Sequence, residues 1–127
     1  MIIMQQIETD KAPAAVGPYS QAVKHNGLVF VSGQIPVNPE NGTIPTDIRE
    51  QTKQVFENLS NVLIASGSSL SKTLRVTVFI KDMSAFGEIN KIYSEFFTKP
   101  FPSRSCVEVS ELPKGVGIEV DAIGFTD

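Results

Sequence analysis

The chain of 127 residues contains one cysteine, one histidine and no tryptophan. A lone cysteine, Cys106, cannot close an internal disulfide, so a stapled, secreted kind of fold is not indicated. A lone histidine, His25, cannot supply a cluster of imidazole ligands, and one thiol cannot build a thiolate zinc site. Ligation by carboxylates alone stays open, but no Asp-rich loop of the calcium-binding kind is present. Charge of one sign is also scarce: 11 Lys and Arg against 14 Asp and Glu leave a net charge of −3. Steering onto nucleic acid or an anionic membrane is not expected from that balance, although a small buried anion site would not register in it. No apolar run approaches the ~20 residues of a membrane-spanning helix. The N-terminal stretch is too short and polar for a signal peptide and lacks the arginines of a transit peptide, so the expected compartment is the cytoplasm. Walker, GxGxxG and Ser/His/Asp patterns are missing as well.

What is present suits one globular domain spanning residues 1–127, with 41% hydrophobic and 20% charged residues. Residues 20–25, Asn26-Gly27 and residues 28–32 read as a β-hairpin, because Asn-Gly tolerates the positive φ of a two-residue type I′ turn. Residues 47–66 read as a helix, with Asp47 as cap, Glu50 three residues later as in a capping box, and Gly67 as the stop. Its apolar residues Ile48, Val55, Phe56, Leu59, Val62 and Leu63 recur at helical spacing. Residues 73–81 alternate as a strand, with Leu74, Val76, Val78 and Ile80 expected on one face and Arg75, Thr77 and Phe79 on the other. A second helix follows, capped by Asp82 or Ser84. It carries Met83, Phe86, Ile89, Ile92, Tyr93, Phe96 and Phe97 and stops before Pro100 and Pro102. Strands at about 104–109 and 118–125 close the chain. The order predicts an α+β fold, a mixed sheet with two helices on one face. Residues 28–31 are apolar on both faces, and Phe79 and Ile123 stand among polar neighbours. The uncovered face is therefore expected to meet another subunit.

Two residues draw attention as chemistry. Arg104 follows Phe101-Pro102-Ser103, where a stiffened loop enters a strand, and its guanidinium is a planar fork suited to a carboxylate. A surface arginine or an ion pair is the plainer alternative. Glu119 is one of two acids in an otherwise apolar strand, on the same face as Asp121. A carboxyl in apolar surroundings holds its proton more readily, which suits acid–base work; a solvated strand face is the alternative. Cys106 shares the strand face of Arg104. It reads as a wall-forming thiol and not a nucleophile, since His25 lies at the hairpin turn. Tyr19 follows Gly17-Pro18 and could present its ring to a pocket. Gly33, in Ser32-Gly33-Gln34 at a strand end, would let a ligand approach the backbone or could mark a bulge. Asn90 taken alone reads as solvent-exposed.

These segments resemble the RidA/YjgF family of enamine/imine deaminases along nearly the whole chain. The matching pieces are Ala12-Pro13, Gly17-Pro18-Tyr19-Ser20-Gln21-Ala22, Val31-Ser32-Gly33-Gln34-Ile35-Pro36, Asn58-Leu59, Val62-Leu63, Asn90, Tyr93, Phe96-Phe97, Pro102-Ser103-Arg104-Ser105-Cys106-Val107 and Ile118-Glu119. The resemblance implies a chorismate-mutase-like fold, a homotrimer with ligand clefts between subunits, and cofactor-free hydrolysis of short-chain 2-imino acids such as 2-iminobutanoate and 2-iminopropanoate. It further implies that Arg104 grips the substrate carboxylate with help from the Gly33 N–H and that Glu119 positions or activates water. The Cys106 carbonyl would hold the imino nitrogen, while Tyr19, Ser32 and Asn90 complete the cleft. Val120 departs mildly from the family pattern, and Ser105 and Glu108 stand at positions the family leaves loose. A non-catalytic 2-oxo acid binding module is the main alternative. A ribonuclease or translation inhibitor is the other, against which the acidic charge argues.

Overall fold

Asn26 and Gly27 take φ values of 50° and 78°, the paired positive angles of a type I′ turn, so β2 (Ala22–His25) turns directly into β3 (Leu28–Gln34). The computed structural model describes residues 3–127. A short strand that the sequence pattern did not indicate, β1 (Gln5–Ile7), pairs antiparallel with β2 at the sheet edge.

Asp47 caps α1 (Ile48–Ala65), its carboxylate accepting from the Arg49 N–H at 3.0 Å, and Gly67 leaves the helix at φ 83°. The expected capping box does not close, because Glu50 instead accepts from Lys53 at 3.4 Å on the exposed surface. After α1, a single turn (Leu70–Lys72) leads into β4 (Thr73–Ile80). The alternation expected along β4 holds from Val76 onward but fails at Leu74, which is 46% exposed while Thr73 is buried. A register shift between Thr73 and Arg75 inserts one extra residue and inverts the facing of that end.

Asp82 caps a turn (Met83–Ala85) by accepting from the Ser84 N–H, and α2 (Phe86–Phe96) continues from it. Met83, expected in the buried stripe, therefore lies outside the helix and is exposed, while Phe97 is buried just past its end. Strands β5 (Ser103–Glu108) and β6 (Ile118–Phe125) complete a six-stranded sheet in the order β1-β2-β3-β6-β4-β5. Only the β4–β5 pair is parallel, with α2 in the crossover.

Both helices cover one sheet face. Phe56, Leu59, Val62 and Leu63 of α1 and Ile89 and Tyr93 of α2 join Val29, Val31, Val76, Val78, Ile118 and Val120 in one core. Burying each such side chain contributes about 1.5–3 kcal/mol. The opposite face carries Leu28, Phe30, Phe79 and Ile123, with Phe30 43% exposed. No helix among the described residues is long and apolar enough to cross a membrane.

Candidate functional site

The residues singled out in the sequence form two groups on opposite faces of the sheet. Arg104 pairs in register with Val76 and Cys106 with Val78; Val76 and Val78 point into the helix-covered core, so Arg104 and Cys106 share the helix side. Glu119 pairs with Phe79, whose neighbours Val78 and Ile80 are buried, so Glu119 belongs to the open face. Alternation thus sends the two proposed chemical groups in opposite directions within one chain.

On the helix side, α2 meets Arg104 at the sheet edge. Arg104 Nη1 donates to Asn90 Oδ1 at 2.7 Å. The guanidinium carbon lies 4.6 Å from the centroid of the Tyr93 ring and 5.5 Å from that of Phe86. Among the described residues no carboxylate stands within ion-pair distance of it. Asn90, Tyr93, Ser94, Phe101, Pro102 and Arg104 line a cleft of ≈ 420 Å³. Burial pushes the Cys106 thiol up from its ordinary value, with the Arg104 charge pulling the other way. The half-buried thiol packs against the core, and His25, whose ring meets the Ile3 carbonyl at 3.4 Å, lies at the hairpin turn and not beside it.

On the open face, Gly33 leaves room for Glu119. A Cβ placed on Gly33 would come within 2.3 Å of Glu119 Oε2, so any side chain there would displace the carboxylate. Burial raises the Glu119 carboxyl above its ordinary value, and the neighbouring Asp121 raises it further. Asp121 is also raised by burial, opposed by its hydrogen bonds to Thr77 and the charge of Arg75. Arg75 in turn donates to Ser105 Oγ at 2.7 Å, so the open face has a polar strip between its apolar residues.

Tyr19 and Gly33 line a second cleft, of ≈ 440 Å³, with Gln34, Pro113 and Lys114 on its walls. Tyr19 is 51% exposed, its hydroxyl accepting from the Val16 N–H at 3.4 Å. Ser32 is committed internally: its hydroxyl donates to the Ser20 carbonyl at 2.6 Å, and its N–H to the Gln21 carbonyl at 2.9 Å. These bonds pin the bulge between Val31 and Gln34 that places Gly33 over Glu119. The structure therefore brings together Arg104, Asn90 and Cys106, and separately Tyr19, Ser32, Gly33 and Glu119.

Three residues went unassigned in the sequence reading. Gln21 ties the segment before Tyr19 by accepting from the Thr9 N–H at 2.7 Å and donating to the Pro13 carbonyl at 2.8 Å. Phe86 and Tyr93 flank the Arg104 guanidinium. Their spacing of four and three residues from Asn90 marks one side of a helix, the signal that could have linked them. No group of three His, Cys, Asp or Glu among the described residues is arranged to hold a metal ion.

Comparison with known proteins bears on what these two groups of residues serve. Residues 9–125 match the family model described as endoribonuclease L-PSP. A RutC family protein of Pyrococcus abyssi is 49% identical over 122 residues, covering 95% of this chain and 96% of that protein. TdcF of Escherichia coli, named as a reactive intermediate deaminase, is 45% identical over 120 residues, covering 92% and 93%. The crystal structure of E. coli TdcF with bound serine superposes with a TM-score of 0.93 at 43% identity, covering 97% of this chain and 99% of that one.

Proposed function

The chain belongs to the endoribonuclease L-PSP family, that of the RidA/YjgF proteins, and on that premise we propose that it hydrolyses short-chain 2-imino acids to 2-oxo acids and ammonia. The observation that carries the reading is Arg104: a guanidinium oriented by Asn90 and two aromatic rings, in a cleft, with no carboxylate partner among the described residues. Such a group is preorganised for the carboxylate of a small ligand. A serine bound to the E. coli relative is a ligand with that end group.

Hydrolysis asks little more of the protein. A 2-iminium carbon is already electrophilic, so water adds to C=N once the carboxylate is held and the water placed. Glu119 takes a proton from the adding water and returns it to nitrogen. The resulting amino alcohol breaks its C–N bond, the electron pair leaving on nitrogen as ammonia, and Glu119 passes the hydroxyl proton to that ammonia, giving the 2-oxo acid and an ammonium ion. A half-buried glutamate with a raised proton affinity suits both transfers.

Arg104 and Glu119 lie on opposite faces of one sheet, so a ligand of a few atoms meets both only where two protomers join. We place the complete site there, with Arg104, Asn90 and Cys106 from one protomer and Tyr19, Gly33 and Glu119 from its partner. The exposed Leu28 and Phe30 on the open face supply apolar area for that contact, and the family resemblance suggests a trimer.

The test couples the protein to a threonine dehydratase and follows trapping of the released imine by semicarbazide. Wild type should shorten the lifetime of the imine, and Arg104→Ala should leave it at the uncatalysed value. Equal rates with and without wild-type protein would reject the reading. Binding of 2-oxobutanoate without any imine hydrolysis would point to a binding module instead.

A further inference from the structure

We propose that Tyr93 is a positioning residue which sets the plane of the Arg104 guanidinium through the face of its ring, and so tunes the affinity of the site for a carboxylate. The proposal rests on the reading of Arg104 as the anchor.

An exposed strand-edge arginine would ordinarily sample many rotamers, and a ligand would have to order it on binding. Here the side chain is held from one helix. Asn90 fixes one nitrogen at 2.7 Å, and the Tyr93 ring lies 4.6 Å below the guanidinium carbon, inside the range of a cation–π contact. The ring itself cannot swing. It is 6% exposed, meets Phe56 edge-on at 5.4 Å and 84°, and stacks on Phe97 at 4.6 Å and 30°. A rigid ring under a mobile cation sets one orientation for its fork of donors.

The hydroxyl argues that the face is what matters. Tyr93 Oη is buried and has no hydrogen-bond partner among the described residues. A tyrosine kept for its hydroxyl would have one. A residue kept only to fill the core would tolerate any ring of the same size, whatever its electron density. The geometry thus sets hydrogen bonding aside and leaves packing and attraction of a cation, which electron density separates.

The experiment varies electron density at constant shape. Tyr93→Phe should leave KM for the imine and Kd for 2-oxobutanoate within about twofold of wild type, since the ring face is retained. Replacing that phenylalanine by its 4-fluoro, 3,5-difluoro and 3,4,5-trifluoro analogues weakens the cation–π attraction stepwise with little change in volume. KM should climb with each fluorine, to about 10-fold in the trifluoro protein, while kcat stays within about twofold and the thermal midpoint holds. A flat KM across the series, with intact folding, would overturn the proposal, as would a large loss in Tyr93→Phe. Arg104→Ala separates the two readings. If it abolishes 2-oxobutanoate binding while the fluorinated series stays flat, the anchor stands and the positioning role fails. If it binds 2-oxobutanoate as wild type does, the anchor reading itself fails.

Discussion

At the scale of single residues, the open-face half of the site turns on the space above one glycine. In Gly33→Ala the new methyl group would meet Glu119 Oε2 at 2.3 Å. Because that neighbour is the end of a flexible side chain, the carboxylate should move and the fold survive. Imine hydrolysis is expected to fall by about 10²-fold, within the usual range for general acid–base help, with circular dichroism unchanged. Glu119 itself should be a liability to stability. Burial and the nearby Asp121 make the folded chain hold the Glu119 proton to higher pH than the unfolded chain does. Folding is therefore penalised as pH rises above the ordinary value of 4.5 and relieved as it falls below it. Glu119→Gln should unfold at a higher temperature than wild type at neutral pH, and the advantage should shrink as pH drops through that range. A thermal midpoint for Glu119→Gln equal to wild type across the whole pH scan would contradict the assigned environment.

At the scale of elements, the site depends on how α1 and the bulged end of β3 are tied. Asn58, fully buried on α1, donates to the Ile35 and Val37 carbonyls at 3.0 and 2.9 Å and accepts from Gln54 at 2.9 Å. It thereby holds the segment that leaves β3 just past Gly33. Asn58→Ala leaves those part-buried acceptors without their donor and should cost about 1–3 kcal/mol in urea unfolding. Local rules accounted for much of this level. Asn26-Gly27 gave the hairpin because both residues accept positive φ, and Asp47 and Gly67 bounded α1 through a cap and a left-handed exit. The rules failed where pairing intervened. Leu74 is turned outward by a bulge that no periodicity announces, and the three residues of β1 are a strand only because β2 offers an edge.

At the scale of the whole molecule, Arg104 and Glu119 face opposite sides of the sheet, and the proposed site joins them across two protomers. If each site takes Arg104 from one protomer and Glu119 from the next, inactive Arg104→Ala and Glu119→Gln chains should complement each other. Unfolded together and refolded as an equal mixture, they would form intact sites wherever a Glu119→Gln chain offers its arginine to an Arg104→Ala chain. Random assembly gives about one quarter of wild-type activity; a mixture as dead as its components would place both residues in one protomer's site. Phe30→Glu, on the exposed apolar face, should lower the mass seen by light scattering and abolish hydrolysis while far-UV circular dichroism is retained.

The sequence by itself determined the turn at Asn26-Gly27, the limits of α1 and β6, the α+β class and, through separated motifs, the family. Each of these is decided by backbone preference or side-chain alternation within a few residues. Tertiary structure alone decided that Arg104 and Glu119 part to opposite faces, that Tyr93 and Asn90 close on the guanidinium, and that Gly33 lies over a carboxylate. Those outcomes depend on how strands distant in the chain pair in register, where one inserted residue exchanges the two faces, and no local preference encodes it.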